Sequence, residues 1–174
     1  MKRSILISSA AVLLVALSNG VAAAKPDFSG TWIMDRNRSI GLPPNMEQTM
    51  TVVHRVDKIE LETKIVTAQG EQTIKDSYTL DGKETEFTPQ GPGTPNNAKG
   101  KRTAKWLPRG NGIVISEETT FDGPNGQVTT QLTRKWILSP DGNTLTIDMY
   151  HDGPRGSFET KRIFVRKADS GSSV

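Results

Sequence analysis

Apolar residues alternate with polar ones along most of the chain, and this period of two constrains the fold more than any other feature. Clear examples are Ile59 to Ile65, Val128 to Trp136, Leu145 to His151 and Phe158 to Phe164. Because successive side chains of a β-strand point to opposite faces, each segment predicts a strand with one buried and one solvated face. No long segment shows a sustained helical period, so the sequence predicts an all-β protein.

Short turn signals separate the alternating segments. The dipeptide Asp-Gly begins at Asp81, Asp122, Asp141 and Asp152, and glycine there accepts the positive φ that tight hairpin turns require. Strands joined mostly by hairpins favour a meander, and closing such a sheet removes its edges. We therefore predict a closed antiparallel up-and-down barrel of about 8–10 strands over residues 25–167. Residues 89–100 are rich in proline and glycine and are expected to form a loop.

The start of the chain has the organisation of a secretory signal peptide. Lys2 and Arg3 precede an apolar run from Ile5 to Leu17, and the small residues up to Ala24 offer a cleavage site. The apolar run is shorter than the ~20 residues that span a bilayer. We therefore expect residues 1–24 to be removed and the rest to be secreted or periplasmic, without a membrane anchor. At the other end, residues 168–174 are expected to be a disordered tail.

Composition excludes several classes of function. The chain has no cysteine, which excludes disulfides, thiol catalysis and Cys-ligated metals. Its net charge is +3, and two of these charges belong to Lys2 and Arg3 in the predicted signal peptide. The rest of the chain is therefore nearly neutral, and it has no basic stripe that could bind nucleic acid. The two histidines, His54 and His151, lack metal-ligand spacing, and we interpret both as surface or rim residues. We predict a protein that is not an enzyme and uses no cofactor or metal.

The segment from Asp27 to Trp32, Asp-Phe-Ser-Gly-Thr-Trp, resembles the Gly-x-Trp motif of the first strand in lipocalins and their calycin relatives. Two further segments, Leu80 to Lys83 and Trp136 to Gly142, look like those of small exported bacterial lipocalin-like proteins. The resemblance implies that Trp32 plugs the closed end of the barrel. It also implies that an arginine late in the chain, Arg162 or Arg166, packs across that tryptophan.

Charged residues interrupt the inward-facing rows of the last four predicted strands. Requiring the apolar faces of the three hairpins to coincide gives two layers: Ile113, Trp136, Leu145 and Phe164, then Ile115, Arg134, Ile147 and Arg162. In this register Glu117 and Arg134 are diagonal neighbours on adjacent strands, within reach of each other.

Two interpretations of this interior remain open. In the first, the lumen binds a small apolar or amphipathic ligand, through the candidate residues Glu117, Arg134, Trp136, Met149, His151 and Arg162. Because Arg134 and Arg162 face one carboxylate, the ligand would carry an anionic head, and the layer around Trp136 would take its tail. In the second, side chains fill the lumen around an internal ion pair, and the protein is an interaction or inhibitor module that uses loop 89–100. A barrel of about eight strands is wide enough for either.

Overall fold

The computed structural model describes residues 25–91, 93–124 and 126–168. The predicted signal peptide, and all of the predicted tail except residue 168, lie outside the described residues. Ten strands follow one another: β1 Gly30–Met34, β2 Glu47–Arg55, β3 Lys58–Thr67, β4 Gly70–Thr79, β5 Thr85–Phe87, β6 Lys99–Trp106, β7 Gly112–Gly123, β8 Gly126–Leu138, β9 Thr144–Asp152 and β10 Phe158–Arg166. Within the described ranges, no helix is long and apolar enough to cross a membrane.

All ten strands form one antiparallel sheet that follows the order of the chain. The order across the sheet is β4-β3-β2-β1-β10-β9-β8-β7-β6-β5, so the pairing of β1 with β10 joins the first strand to the last. The sheet curls through 277°, and its two edges, β4 and β5, have no backbone ladder between them. The predicted all-β up-and-down architecture is confirmed, but backbone hydrogen bonds do not close the barrel completely.

The register of the last three hairpins was predicted only in part. The β7–β8 and β9–β10 hairpins pair as predicted, whereas Trp136 on β8 pairs with Ile147 and not with Leu145. The N–H of Gly142 donates to the carbonyl of Ser139 at 2.9 Å, and this tight turn sets the observed register. A shift of two residues keeps every side chain on its face, so alternation alone cannot detect it.

The segment between β5 and β6 is a loop, as predicted, but it is shorter than residues 89–100. Because β6 begins at Lys99, the loop ends at residue 98, and Gly100 lies in the strand. Two turns shape the loop: the N–H of Thr94 donates to the carbonyl of Gly91 at 3.2 Å, and that of Ala98 donates to Pro95 at 3.1 Å.

The hydrophobic core fills one end of the curled sheet, which we call the closed end. Its largest inward-facing side chains are no more than 2% exposed: Phe28, Trp32, Met50, Ile59, Ile113, Ile115, Trp136, Leu145 and Phe164. Full burial of side chains of this size stabilises by about 1.5–3 kcal/mol each. Since the core has no disulfide, this burial and the sheet pairing stabilise the fold.

Arg166 packs across Trp32, and the alternative residue, Arg162, does not. The Arg166 guanidinium lies 4.2 Å from the centre of the Trp32 ring, because the two residues are direct partners on β10 and β1. It also donates to the carbonyl oxygens of Gly142, at 2.8 Å, and of Ser29. A Cβ on Gly30, where φ is +128°, would lie 2.6 Å from Arg166 Nη1. The glycine of the Gly-x-Trp motif therefore makes room for the arginine.

Candidate functional site

A polar network crosses the interior beside the core. Glu117 on β7 and Arg134 on β8 both point inward, and Arg134 Nη2 lies 2.6 Å from Glu117 Oε1, with the side chains 16% and 10% exposed. The strand partner of Glu117 is Leu132 and that of Arg134 is Ile115, so the two charged residues are diagonal neighbours. The predicted contact between Glu117 and Arg134 is confirmed.

Three further members of this network were not predicted from the sequence: Asp76 and Tyr78 on β4, and Arg102 on β6. Arg102 Nη1 lies 2.9 Å from Asp76 Oδ1, and Arg134 Nη2 donates to the Tyr78 hydroxyl at 3.1 Å. Since β4 has no ladder with β6 or β8, these contacts bridge the gap that the backbone leaves between the sheet edges. We call the five residues Asp76, Tyr78, Arg102, Glu117 and Arg134 the internal network.

The alternating rows of β4 and β6 contained a signal for these residues. Ile74, Asp76, Tyr78 and Leu80 occupy one face of β4 and its continuation, and Gly100, Arg102, Ala104 and Trp106 occupy one face of β6. Turning the apolar members of both rows inward also turns Asp76 and Arg102 inward. The sequence could therefore have predicted that the opposite charges of Asp76 and Arg102 both face the barrel interior.

The internal network holds two cations and two anions. Arg102 Nε lies 3.6 Å from Glu117 Oε1, beyond hydrogen-bonding distance, and the Arg102 guanidinium lies 3.6 Å from the centre of the Phe87 ring. Burial raises the pKa of Tyr78 to about 12. Burial also opposes the charged form of Arg134, but the oxygens of Tyr78, Glu117 and Asp76 outweigh it and raise the pKa of Arg134 above its usual value. Tyr78 therefore stays protonated and Arg134 stays charged at neutral pH.

Arg162 is another inward-facing arginine outside the internal network, and it has no carboxylate partner among the described residues. Its Nη1 donates to the carbonyl oxygens of Ile40 at 3.0 Å and Lys161 at 3.3 Å, and the residue is 8% exposed. Burial lowers the pKa of Arg162, because the guanidinium loses hydration. Arg162 is therefore a buried positive charge that no carboxylate matches in the described part of the chain, whereas the charge of Arg134 is matched within the internal network.

The opposite end of the barrel, which we call the open end, is less tightly filled than the closed end. Several of its inward-facing side chains are only half-buried, although they occupy the same face as the core: Ile74, Thr119, Phe121, Leu132, Met149 and His151. Water therefore reaches this part of the interior. An inward face that combines half-buried apolar groups with a buried cation has the usual composition of a small-molecule site.

His151 stands at the rim of the open end. Its ring stacks on that of Phe158 with centroids 4.5 Å apart, and its Nε2 lies 3.4 Å from Thr160 Oγ1. Burial and the neighbouring cations Arg162 and Arg134 lower the pKa of His151. The imidazole is therefore neutral at pH 7 and becomes a second cation near Arg162 only in acid.

The six predicted lumen residues fall into three places. Glu117 and Arg134 belong to the internal network. Met149 and His151 face the open end, with Arg162 in the next row towards the core, opposite Ile147. Trp136 is buried in the core, 6.0 Å from the Phe28 ring. The structure thus brings three candidates together at the open end and separates Trp136 from them. Contact of each with a ligand stays a prediction.

His54 is not the surface or rim residue that we predicted. Its side chain is 8% exposed, because His54 faces inward at the closed end between the rings of Phe28 and Trp106, at 5.7 and 5.6 Å. Its Nδ1 accepts a hydrogen bond from the N–H of Phe28 at 3.4 Å. Nowhere in residues 25–91, 93–124 and 126–168 do three or more potential metal ligands of the His, Cys, Asp and Glu types form a group.

Comparison with known proteins gives matches among solved structures. No protein-family model matches the chain, and no curated protein matches it. The chain is similar to zebrafish ileal bile acid-binding protein, solved in complex with cholic acid, with TM-score 0.50, 14% identity, and 80% of this chain and 98% of that chain covered. It is also similar to secretory abundant heat soluble protein 4 from Ramazzottius varieornatus, with TM-score 0.44 and 13% identity. That match covers 83% of this chain and 96% of that chain. The first similarity shows a calycin-like β-barrel fold.

Proposed function

We propose that the protein binds a small amphipathic molecule with an anionic head in the open end of its barrel. The observation that carries the proposal is Arg162, a buried cation with only carbonyl partners in the described part of the chain. An anionic head would replace its lost hydration with charge-assisted hydrogen bonds. Half-buried Leu132 and Met149 on the same inward face offer apolar contacts for the rest of the ligand. The zebrafish protein of similar fold was solved with cholic acid, an amphipathic acid.

The internal network limits how deep this ligand can enter. The hydrogen bond from Arg134 to Tyr78 and the ion pair of Arg102 with Asp76 cross the interior beside the core. The tail would therefore rest on the network and contact Leu132, and it would not reach Trp136. Each buried methylene contributes about 0.8 kcal/mol, so affinity should rise about fourfold per CH₂ until the open end is filled.

Calorimetric titration with decanoate and decanol tests the role of Arg162. We expect decanoate to bind at least about tenfold more tightly than decanol at pH 7, a difference of about 1.4 kcal/mol. Arg162→Gln should abolish this preference and leave the affinity for decanol unchanged. The matched control is Lys161→Gln, which removes one positive charge from the outward face of the same strand and should keep the preference.

The other outcomes decide between the two interpretations of the interior. Equal affinity of the natural protein for acid and alcohol would mean that the open end is an apolar pocket without a head-group site. Binding of neither molecule would favour the filled barrel, in which the loop between β5 and β6 contacts a partner protein.

A further inference from the structure

β4 is a long free edge of the sheet. It pairs only with β3, from Thr79 opposite Lys58 to Gly70 opposite Thr67, whereas the other edge, β5, has only three residues. Residues 70–73 are exposed on both faces of the sheet. The unpaired N–H and C=O groups of such an edge can form a ladder with a strand of another chain.

The charges along β4 are complementary to those of a second β4. On its outward face the strand presents Glu71, Thr73 and Lys75 in succession. When two copies pair antiparallel about a two-fold axis, placing Thr73 on the axis sets Glu71 of each copy directly opposite Lys75 of the other. Placing either Glu71 or Lys75 on the axis would set like charges opposite each other, which is destabilising. Among the registers centred on residues 71–75, only the one centred on Thr73 sets opposite charges directly opposite each other.

We propose that two copies of this protein associate through β4, pairing residues 70–76 of each in the register centred on Thr73. Within one chain, Lys64 Nζ already lies 2.7 Å from Glu71 Oε2, and Lys75 Nζ lies 3.2 Å from Glu62 Oε2. The dimer extends these pairs into a row of alternating charge that runs from β3 of one copy to β3 of the other.

The inward face of β4 fits the same register. Gln72 of one copy lies opposite Ile74 of the other, and Asp76 lies opposite Gly70, so no two like charges meet. Asp76 keeps its ion pair with Arg102, which lies on the opposite side of β4 from the outward row. The two barrels would then form one continuous sheet across the axis.

The contact is small. A ladder over residues 70–76 buries much less surface than the total of about 1,600 Å² that a typical stable complex buries. We therefore expect weak, concentration-dependent dimers with a dissociation constant on the order of 100 µM. The contact lies on the sheet edge and does not include Arg162, so decanoate affinity should be the same in monomer and dimer.

Sedimentation velocity of the natural protein from about 10 µM to about 1 mM at low salt measures this association. We expect the natural protein to shift towards dimer, and Glu71→Lys and Lys75→Glu each to remain monomeric, since each sets like charges opposite one another. An equimolar mixture of the two variants should associate, because the lysines of one then face the glutamates of the other. Lys161→Glu is the matched control, which makes the same charge change on β10 and should dimerise as the natural protein does.

Three results would overturn the proposal. These are a natural protein that stays monomeric at about 1 mM, dimers that persist in both charge reversals, and a mixture of the reversals that stays monomeric. Each reversal also removes one exposed ion pair with β3, which contributes little to folding. Circular dichroism checks that both variants are folded before they are compared.

Discussion

Replacing Glu117 by glutamine tests how the internal network contributes to stability. The substitution keeps the shape of the side chain but leaves Arg102 and Arg134 to share one carboxylate, that of Asp76. Arg134 Nη2, now 2.6 Å from Glu117 Oε1, would then face a neutral amide. Removal of one partner of a buried ion pair costs about 3–5 kcal/mol. Because Arg134 is 16% exposed and keeps its contact with Tyr78, we expect a loss of about 3 kcal/mol in the free energy of unfolding.

A double-mutant cycle with Arg134→Met separates the pair from its surroundings. The double variant removes one cation and one anion, so Arg102 and Asp76 remain as a balanced pair. We expect it to be more stable than Glu117→Gln alone by about 1–2 kcal/mol. Urea unfolding, followed by tryptophan fluorescence, measures each free energy. The control is Asp148→Asn, which breaks the exposed contact of Asp148 with Lys161 at 3.2 Å and should cost no more than about 1 kcal/mol.

Two results would refute this account of the network. A loss in Glu117→Gln no greater than that in Asp148→Asn would mean that water solvates the pair. A double variant whose loss equals the sum of the two single losses would mean that Glu117 and Arg134 do not interact.

Three further predictions concern separate parts of the chain. Gly30→Ala should lower the free energy of unfolding by about 1–3 kcal/mol, because the positive φ and Arg166 both disfavour a Cβ there, and urea unfolding with an unchanged midpoint would contradict this. Since the pKa of His151 is lowered in the folded state, the unfolded chain binds its proton more tightly. Stability should therefore fall as pH drops below about 6.5 and level off below the folded pKa, and His151→Gln should reduce this dependence in urea unfolding between about pH 8 and 5. Mass spectrometry of the exported protein should find an N-terminus at or within one residue of Lys25, and retention of Met1 would refute the predicted cleavage.

Alternation predicted which face each side chain occupies, and with the hairpin turns it was sufficient for the contacts within the β7–β8 and β9–β10 hairpins. Glu117 and Arg134 are the clearest case, because the short connection between β7 and β8 fixes the register of their two inward-facing rows. The partners of this pair across the sheet gap were missed, since Asp76 and Tyr78 contact residues of strands with which β4 forms no ladder. Such contacts depend on how far the whole sheet curls.

Alternation could not distinguish positions on the same face. Arg162 and Arg166 both point inward from β10, and only the register of β10 with β1 places Arg166 beside Trp32. The same limit applies to β8 and β9, where the turn after Leu138 shifts the register by two residues. The sequence placed Arg134 and Arg162 on the same inward face but could not show which of them has a carboxylate partner. The structure pairs Arg134 with Glu117 and leaves Arg162 with carbonyl partners.

The central claim is that a ligand occupies the open end and rests on the internal network. Methyl NMR of the labelled protein, titrated with decanoate, tests this most directly, because isoleucine, leucine and methionine methyls lie at both ends of the barrel. We expect saturable shifts at Leu132 and Met149, with little change at Ile113 and Leu145 in the core. Shifts centred on Ile113 and Leu145, or no saturable shift at Leu132 and Met149, would contradict the claim.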